Sequence, residues 1–162
     1  MTKLWGKYRG KVLGTSVDDL GRIEVNVPSK FGARGRALAM PCVPYAGDGV
    51  GFFVIPPEGA NVWIEFEDGD PNYPIWTGCF WTEEEELPVN PATAEKKVLK
   101  TSVGAITLND SEDSGGITIE TKDNMKIVID KNGIEITNGI DQGNIKLTGP
   151  KVSINGTALE VQ

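Results

Sequence analysis

The residues that could carry acid–base chemistry in this chain are carboxylates, because the sequence contains no histidine. Asp68 with Asp70, and Asp110 with Asp113, each place two carboxylates close together, as a general acid and its base require. Both pairs lie in glycine-containing turn segments, where aspartate is favoured for its hydrogen bonds to the local backbone. Without histidine, the commonest group that titrates near neutral pH is missing. We therefore expect a protein that is not an enzyme and has no catalytic residues.

Metal and cofactor sites are not predicted either. Glu83 to Glu86 form a run of four adjacent carboxylates, which is typical of a solvated surface when no folded frame holds it. The Gly- and Asp-rich turns of the second half do not repeat with the nonapeptide period of calcium-binding rolls. Cys42 and Cys79 lack C-x-x-C spacing, and we expect two reduced, buried thiols.

The charge and the N-terminus restrict partners and location. The net charge is −7, and nucleic-acid affinity depends largely on Lys and Arg neutralising phosphates, so no stable nucleic-acid binding is expected. The N-terminal MTKLWGKYRGKV has no apolar core of the kind that a signal peptide needs. No apolar run approaches the roughly 20 residues that cross a bilayer. We expect assembly in a cytoplasm.

The elements that position these residues are strands, and their pattern changes along the chain. From Tyr8 to Trp81, period-two alternation, as at Ile23, Val25 and Val27, is interrupted by turn signals. Five or six such strands can close into a small barrel, which removes exposed strand edges. We expect this barrel over residues 1–82. The predicted strands are Gly10–Gly14, Gly21–Val27, Ala37–Val43, Val50–Ile55, Asn61–Phe66 and Pro74–Phe80.

Residues 83–97 are predicted to be an acidic, proline-containing linker. The run of four Glu is followed by Pro88, Asn90 and Pro91, which interrupt any regular element. The stretches Thr82–Leu87 and Ala92–Lys97 are the ones that could host a short helix. The fold class is therefore predicted to be all-β.

Residues 98–162 consist of brief apolar alternations separated by Gly, Asn and Asp. Each strand of this length has one apolar face and cannot bury that face alone. Several chains must therefore assemble, and the predicted shared core would exist only in the oligomer. Its residues are Ile106, Leu108, Ile117, Ile119, Ile127, Ile129, Ile134, Ile136, Ile145, Leu147, Val152 and Ile154, and Leu159 and Val161 follow the same pattern.

Three chains around a common axis would bury these residues against their symmetry mates. Each chain would give successive strands to successive faces of a triangular prism, an intertwined β-helix. Seven stacked strands would extend roughly 34 Å, with polar residues outside. The free strand edge near Leu159 would need a cover.

Both halves resemble a known family, the phage baseplate assembly protein V group and the related valine-glycine-repeat spikes of type VI secretion. The spacing of the motifs in the first half is similar to the OB-domain signature of that family, and the second half is similar to its spike repeat. The motifs are Gly21–Val25, Val43–Gly47, Phe52–Gly59, Val62–Pro71, Pro74–Gly78, Lys100–Leu108 and the later Ile-x-Ile units.

The resemblance implies a homotrimeric central spike with an N-terminal OB-fold barrel and a C-terminal β-helical needle. The barrels would sit on a baseplate hub, which would connect the spike to the tail tube, and the needle would pierce the target cell envelope. The protein would be a component of a virion tail or of an injection particle. An infectious phage, a bacteriocin-like tail and a toxin-injection system fit the residues equally.

Three departures from the family shape further expectations. Only a short linker separates barrel from needle, so no lysozyme domain is expected there. The iron-binding His-x-His tip of some phage spikes is excluded because histidine is absent. The barrel signature begins within about ten residues of the first, so the hub is expected to be a separate protein, with Trp5 as a contact. A separate cap similar to PAAR-repeat proteins is expected to dock at Leu159 and Val161.

The alternative function is an OB-fold module that binds single-stranded nucleic acid or an oligosaccharide on its barrel face. Exposed aromatic rings would stack on bases or sugars there. The candidate rings are Tyr8, Tyr45, Phe52, Phe53, Trp63 and Trp76.

Overall fold

The computed structural model describes residues 3–140, 142–156 and 158–161, and the side chains of residues 15–17, 160 and 161 are outside this description. Its regular structure is almost entirely β, which confirms the all-β prediction. The helical segments among these residues are one turn of α-helix, α1 (Pro28–Phe31), and two 3₁₀ turns at Glu67–Gly69 and Glu84–Glu86. None is long or apolar enough to span a bilayer. The chain divides into two compact units between Glu83 and Glu84.

The first unit is a closed barrel of five strands. The barrel order is β1-β2-β3-β7-β6, and neighbouring strands are antiparallel except for β3 and β7, which pair in parallel at Met40 and Ile75. Closure leaves no free edge among these five strands. The strands of this unit are β1 (Tyr8–Val17), β2 (Ile23–Asn26), β3 (Ala37–Pro41), β4 (Ala46–Gly47), β5 (Val50–Gly51), β6 (Asn61–Phe66) and β7 (Pro74–Phe80).

The barrel encloses the hydrophobic core of the described residues. Along β6, Val62 and Ile64 are fully buried, and the intervening residues are only partly covered. This is the period-two pattern of a strand with one face inward. The core consists of Val12, Ile23, Val25, Val27, Ala39, Val62, Ile64, Phe66 and Trp76.

Asp18 fixes the turn between β1 and β2. Its carboxylate accepts hydrogen bonds from the backbone N–H groups of Arg22 and Leu20, and it forms an ion pair with the Arg22 guanidinium at 2.6 Å. The backbone hydrogen bond from Arg22 is the largest of the effects that hold the pKa of the Asp18 carboxyl below its ordinary value. The turn between β1 and β2 is thus held by one side chain.

Two expectations for the barrel are wrong. The strand predicted over Val50–Ile55 is limited to β5, which pairs with β4 in a small hairpin. Gly49 turns this hairpin with φ +68°, and the prolines at 56 and 57 cannot donate ladder hydrogen bonds. Both cysteines are free but exposed rather than buried. In β7 the register against β6 shifts near Gly78, and Cys79 follows this irregularity.

The second unit is one eight-stranded antiparallel sheet. Each strand pairs with the next in sequence, so the order in the sheet is the order in the chain. The first strand begins inside the segment predicted to be linker. The strands are β8 (Lys96–Lys100), β9 (Gly104–Asn109), β10 (Gly116–Thr121), β11 (Met125–Asp130), β12 (Gly133–Asn138), β13 (Asn144–Thr148), β14 (Lys151–Ile154) and β15 (Leu159–Val161).

Short hairpin turns produce this order. Between β11 and β12, the Asp130 carboxylate accepts a 2.7 Å hydrogen bond from the Asn132 N–H. Between β13 and β14, Gly149 (φ +57°) precedes Pro150, as a type II′ turn favours. Between β10 and β11, Asn124 has φ +64°, the left-handed residue that closes a three-residue loop. Each strand therefore folds back on its predecessor.

This pairing was not predicted from the sequence pattern. We expected successive strands of one chain to pass to successive faces of a prism. Within one chain they remain in a single sheet, because connections of two to six residues join antiparallel neighbours and are too short for a crossover to another face. The short strands and their one-sided apolar pattern were predicted, and the connections decide how they are arranged.

Candidate functional site

The C-terminal sheet carries two continuous rows of apolar side chains on one face, which we call the apolar face. Residues that lie directly opposite in antiparallel strands share a face, so the pairing register defines each row. The first row is Leu108, Ile117, Ile129, Ile134, Leu147 and Val152. The second row is Leu99, Ile106, Ile119, Ile127, Ile136, Ile145, Ile154 and Leu159.

The apolar face is more open to solvent than the polar face behind it. Ile119 is 44% exposed, whereas its neighbours Thr118 and Glu120, on the opposite face, are only partly exposed. The same inversion occurs at Ile127, which lies between the less exposed Lys126 and Val128. Large apolar surface is expected to be removed from water, not presented to it. A single chain therefore lacks the partner that this face requires.

The opposite face of the sheet carries charged side chains that form ion pairs and remain hydrated. Lys126 forms an ion pair with Glu120 at 3.0 Å, and Lys146 pairs with Glu135 at 3.5 Å. Both pairs join directly opposite residues of neighbouring strands. Exposed pairs of this kind contribute about 1 kcal/mol or less. Their value lies in keeping this face hydrated and in opposing pairings that are out of register.

All twelve residues predicted as a shared core lie on the apolar face. Leu159 extends the second row and is exposed. Val161 pairs with Val152 through the backbone, and its side chain lies outside the described part of the structure. Leu99 is on the same face but was not predicted. The run Lys97-Val98-Leu99-Lys100 places two apolar residues side by side, which hides the period of two.

The apolar face offers shape and hydrophobicity but no groups for catalysis. Among the described residues, no group of three or more Cys, Asp or Glu side chains could hold a metal ion. The turn residue Asp130 has its pKa lowered, chiefly by the backbone hydrogen bond from Asn132, which fits a structural role. The arrangement is suited to association.

Two family models match nearly the whole chain. Residues 8–81 match the type VI secretion system/phage-baseplate injector OB domain. Residues 96–160 match the phage baseplate V C-terminal trimerisation domain. The chain belongs to the phage baseplate V family. The barrel is accordingly the OB domain, and the C-terminal sheet is the trimerisation domain, through which the chain forms a homotrimer.

A curated relative of this baseplate V chain is the type VI secretion system spike protein VgrG4b of Pseudomonas aeruginosa. The two are 37% identical over 57 residues, which are 35% of this chain and 7% of that protein. The chain thus matches only a small part of a much longer spike.

The aromatic residues considered for a stacking surface are not gathered on one face of this baseplate V chain. Trp76 belongs to the core, and Tyr8 packs edge-on against the core residue Phe66. Trp63 stacks on Phe80 with ring centroids 4.5 Å apart, and the Arg9 guanidinium lies over both rings. The remaining three, Tyr45, Phe52 and Phe53, are exposed near the β4–β5 hairpin.

Trp5, predicted to contact a hub, is 67% exposed at the start of the OB domain. The segment that carries it is held in place by backbone and side-chain bonds. The Leu4 N–H donates to the Gly69 carbonyl at 2.8 Å, and the Tyr8 hydroxyl donates to the Trp5 carbonyl at 2.9 Å. A large aromatic ring is thus presented to solvent on a backbone that is fixed.

Proposed function

We propose that this protein is the membrane-piercing central spike of a contractile phage tail or of a related injection system. The observation that carries the proposal is the apolar face, which runs through all eight strands of the unit that matches a trimerisation domain. A spike needs a stiff, narrow rod, and a stack of short strands around a buried axis provides one. Eight strands at about 4.8 Å each extend roughly 38 Å.

The apolar faces of three chains form the axis of this rod. Each chain supplies one sheet, and the three sheets enclose both rows. Full burial of a Leu or Ile side chain stabilises by about 1.5–3 kcal/mol, and the residues of these rows other than Leu159 are already more than half covered in one chain. Burying the three apolar faces against each other therefore adds on the order of 1 kcal/mol of stability for each residue. Over both rows this is comparable to the whole stability of an ordinary domain.

The mechanism of piercing is mechanical. The rod resists bending because every strand from β9 to β14 is hydrogen-bonded on both sides within its own sheet, and each sheet packs against two other chains. Separating one chain exposes both rows at once, so the barrier to unfolding is high. Function then rests on slow unfolding rather than on chemistry. The polar faces with their ion pairs lie outward and keep the rod hydrated.

A hub protein binds the barrel side through a surface that includes Trp5. Exposed tryptophan is enriched at binding hot spots because a large rigid ring buries much area at little entropic cost. The attachment of this segment to Gly69 fixes the backbone that carries the ring. The hub in turn connects the spike to the tail tube. The complex assembles in the cytoplasm before the particle acts on a target cell envelope.

A small cap, similar to PAAR-repeat proteins, covers the sheet at Leu159 and Val161. In the described sheet, β15 is an edge strand, paired on one side by β14. Its outer hydrogen-bonding groups and the exposed Leu159 would be liable to aggregate in the absence of a cover. A partner with free backbone groups would pair with the outer edge of β15, and a flat apolar base on that partner would cover Leu159.

The proposal is tested on contractile particles purified from cells that make this protein. Quantitative mass spectrometry should find three copies per particle, and antibody labelling should place them at the distal end of the tail. Particles built with Ile119→Asp should contract without releasing dye from vesicles of target envelope, whereas Thr118→Asp particles should release it. Many copies per particle, a lateral position, or dye release by Ile119→Asp particles would reject the proposal.

A further inference from the structure

The barrel carries a second exposed apolar region, which the C-terminal sheet does not explain. We call residues 45–55 the arm. The β4–β5 hairpin forms its base, closed by a hydrogen bond from the Phe52 N–H to the Tyr45 carbonyl at 2.9 Å. Phe53 is 74% exposed. Other exposed apolar side chains in the arm are Tyr45, Val50, Phe52 and Val54.

The arm forms one wall of an apolar groove of about 450 Å³. The other wall is the outside of the barrel at Leu20, Gly21, Pro41 and Val43. A Cβ atom added to Gly21 would lie 3.5 Å from a ring carbon of Phe53 and 3.7 Å from Pro41. The Phe53 ring therefore leans against the barrel on one side and presents its other side to solvent. The exposed side of the Phe53 ring, which we call the knob, and the groove therefore lie next to each other on one surface.

This region is almost free of charge. Between Arg36 and Glu58, Asp48 is the single charged residue in a chain whose net charge is −7. Charged residues are depleted and aromatic residues enriched at the centre of protein interfaces. A monomeric surface seldom presents so many large apolar side chains together. Because the chain as a whole is acidic, a nearly uncharged surface of the barrel is one at which the barrels of two copies can approach.

We propose that the arm of each protomer packs into the groove of the next protomer, forming a ring of three barrels. The proposal rests on the homotrimer and not on what the spike penetrates. The trimerisation domain holds three barrels together, and linked modules experience effective concentrations of about a millimolar, so even a weak contact forms. A knob and a groove that differ can close a ring under threefold symmetry. The arm thus joins the barrels as the apolar face joins the sheets.

A photo-cross-linking probe at the arm tests this contact in the full-length protein. Phe53→p-benzoylphenylalanine places a reactive ketone where the ring meets solvent. After irradiation and boiling in SDS, we expect covalent species of two and three chains. Peptide mapping should find the adducts at residues 20–21 or 41–55 of another copy. Tyr73→p-benzoylphenylalanine is the matched control, since Tyr73 is an exposed aromatic residue of the barrel outside the arm.

The two possible failures are distinguishable. Light scattering before irradiation reports whether the variants are trimers. A trimer that yields only single-chain products from the Phe53 probe, or no more multi-chain product than the Tyr73 control, overturns the ring of barrels and leaves the spike intact. Adducts confined to residues 96–160 overturn it as well. An arm that reacts only with another protein, in assembled particles, would instead make this surface part of the hub contact.

Discussion

The barrel and the C-terminal sheet use the same residue pattern with opposite results. In both, Ile, Leu or Val alternates with polar residues along short strands. Ile64 in the barrel is fully buried, whereas Ile119 in the sheet is 44% exposed. The difference is topological, because the barrel strands close on themselves and the sheet remains open. Alternation therefore defines a face, and the connections decide whether one chain can cover that face.

The connections between strands are longer in the barrel than in the C-terminal sheet, and their length decides which strands can pair. In the barrel, β2 and β3 are joined by a segment that contains α1, and β3 and β6 by the segment that contains the arm. Long connections allow non-neighbouring strands, β3 with β7 and β1 with β6, to pair and close the barrel. The connections of the sheet are two to six residues long, which is too short for this, and they produce a meander whose apolar face needs other copies.

The largest expected effect comes from a charge in the middle of the apolar face. Ile119→Asp would place three carboxylates at the trimer axis, and burying an unpaired charge costs several kcal/mol. We expect loss of the trimer, measured by light scattering on a sizing column. Thr118→Asp introduces the same charge one residue away on the opposite face and should remain trimeric. Equal behaviour of the two variants would contradict the assignment of the faces.

A cavity in the barrel should act within one chain. Ile64→Ala removes a side chain that is 0% exposed, and such a change costs about 2–5 kcal/mol. We expect a lower denaturant midpoint for the barrel, followed by tryptophan fluorescence, while the trimer mass stays constant. Because the barrel core lies within one chain, this midpoint should not depend on protein concentration. Dissociation of the trimer by Ile64→Ala would show that the two units are not separately stabilised.

A backbone change in the sheet should have an intermediate effect. Gly133 begins β12 with φ +134°, and a Cβ there would overlap the Leu147 carbonyl. We expect Gly133→Ala to destabilise each chain by roughly 1–3 kcal/mol and to lower the temperature at which the trimer dissociates. Gly149→Ala is the control, because a Cβ at this turn meets no atom within 4 Å. Its strain is limited to the left-handed backbone, about 1–2 kcal/mol.

Acid should produce the smallest effect, in the barrel turn at Asp18. The folded chain holds the pKa of this carboxyl below its ordinary value of 3.8. The stability that it contributes is therefore present above pH 3.8 and is lost as the pH falls through the lower, folded pKa. We expect Asp18→Asn to flatten the acid limb of the barrel's melting curve against pH. An unchanged acid limb would show that Asp18 does not stabilise the turn.

Much of the fold follows from the sequence because local patterns decide it. Alternation predicts the strands of the barrel and the residues of the apolar face, and Gly, Asn and Pro predict the turns. Leu99 and the first strand of the sheet were missed, since adjacent Val98 and Leu99 do not alternate. The Val50–Ile55 segment reads as a strand, but its hydrogen bonds go to a local hairpin. Pairing partners depend on non-local closure, which no local pattern contains.

The two interaction surfaces, the apolar face and the arm, also differ in how far the sequence predicts them. The apolar face can be predicted because a repeated one-sided pattern leaves a surplus of apolar residues that one chain cannot bury. The arm was not recognised as a protein-docking surface, since Val50–Ile55 was predicted to be a barrel strand and its Phe residues were considered only as rings that stack on bases or sugars. Only the positions of Tyr45 and Phe53 in the structure, both exposed, separate a docking surface from a core.

The homotrimer is tested most directly by the mass of the purified protein, measured by light scattering and then on a gel after brief exposure to SDS without boiling. We expect a single species near three times 17.5 kDa, which survives the detergent because each chain buries both apolar rows against two others. A stable monomer at micromolar concentration would contradict a spike built from three chains, because the apolar face would then remain exposed to water.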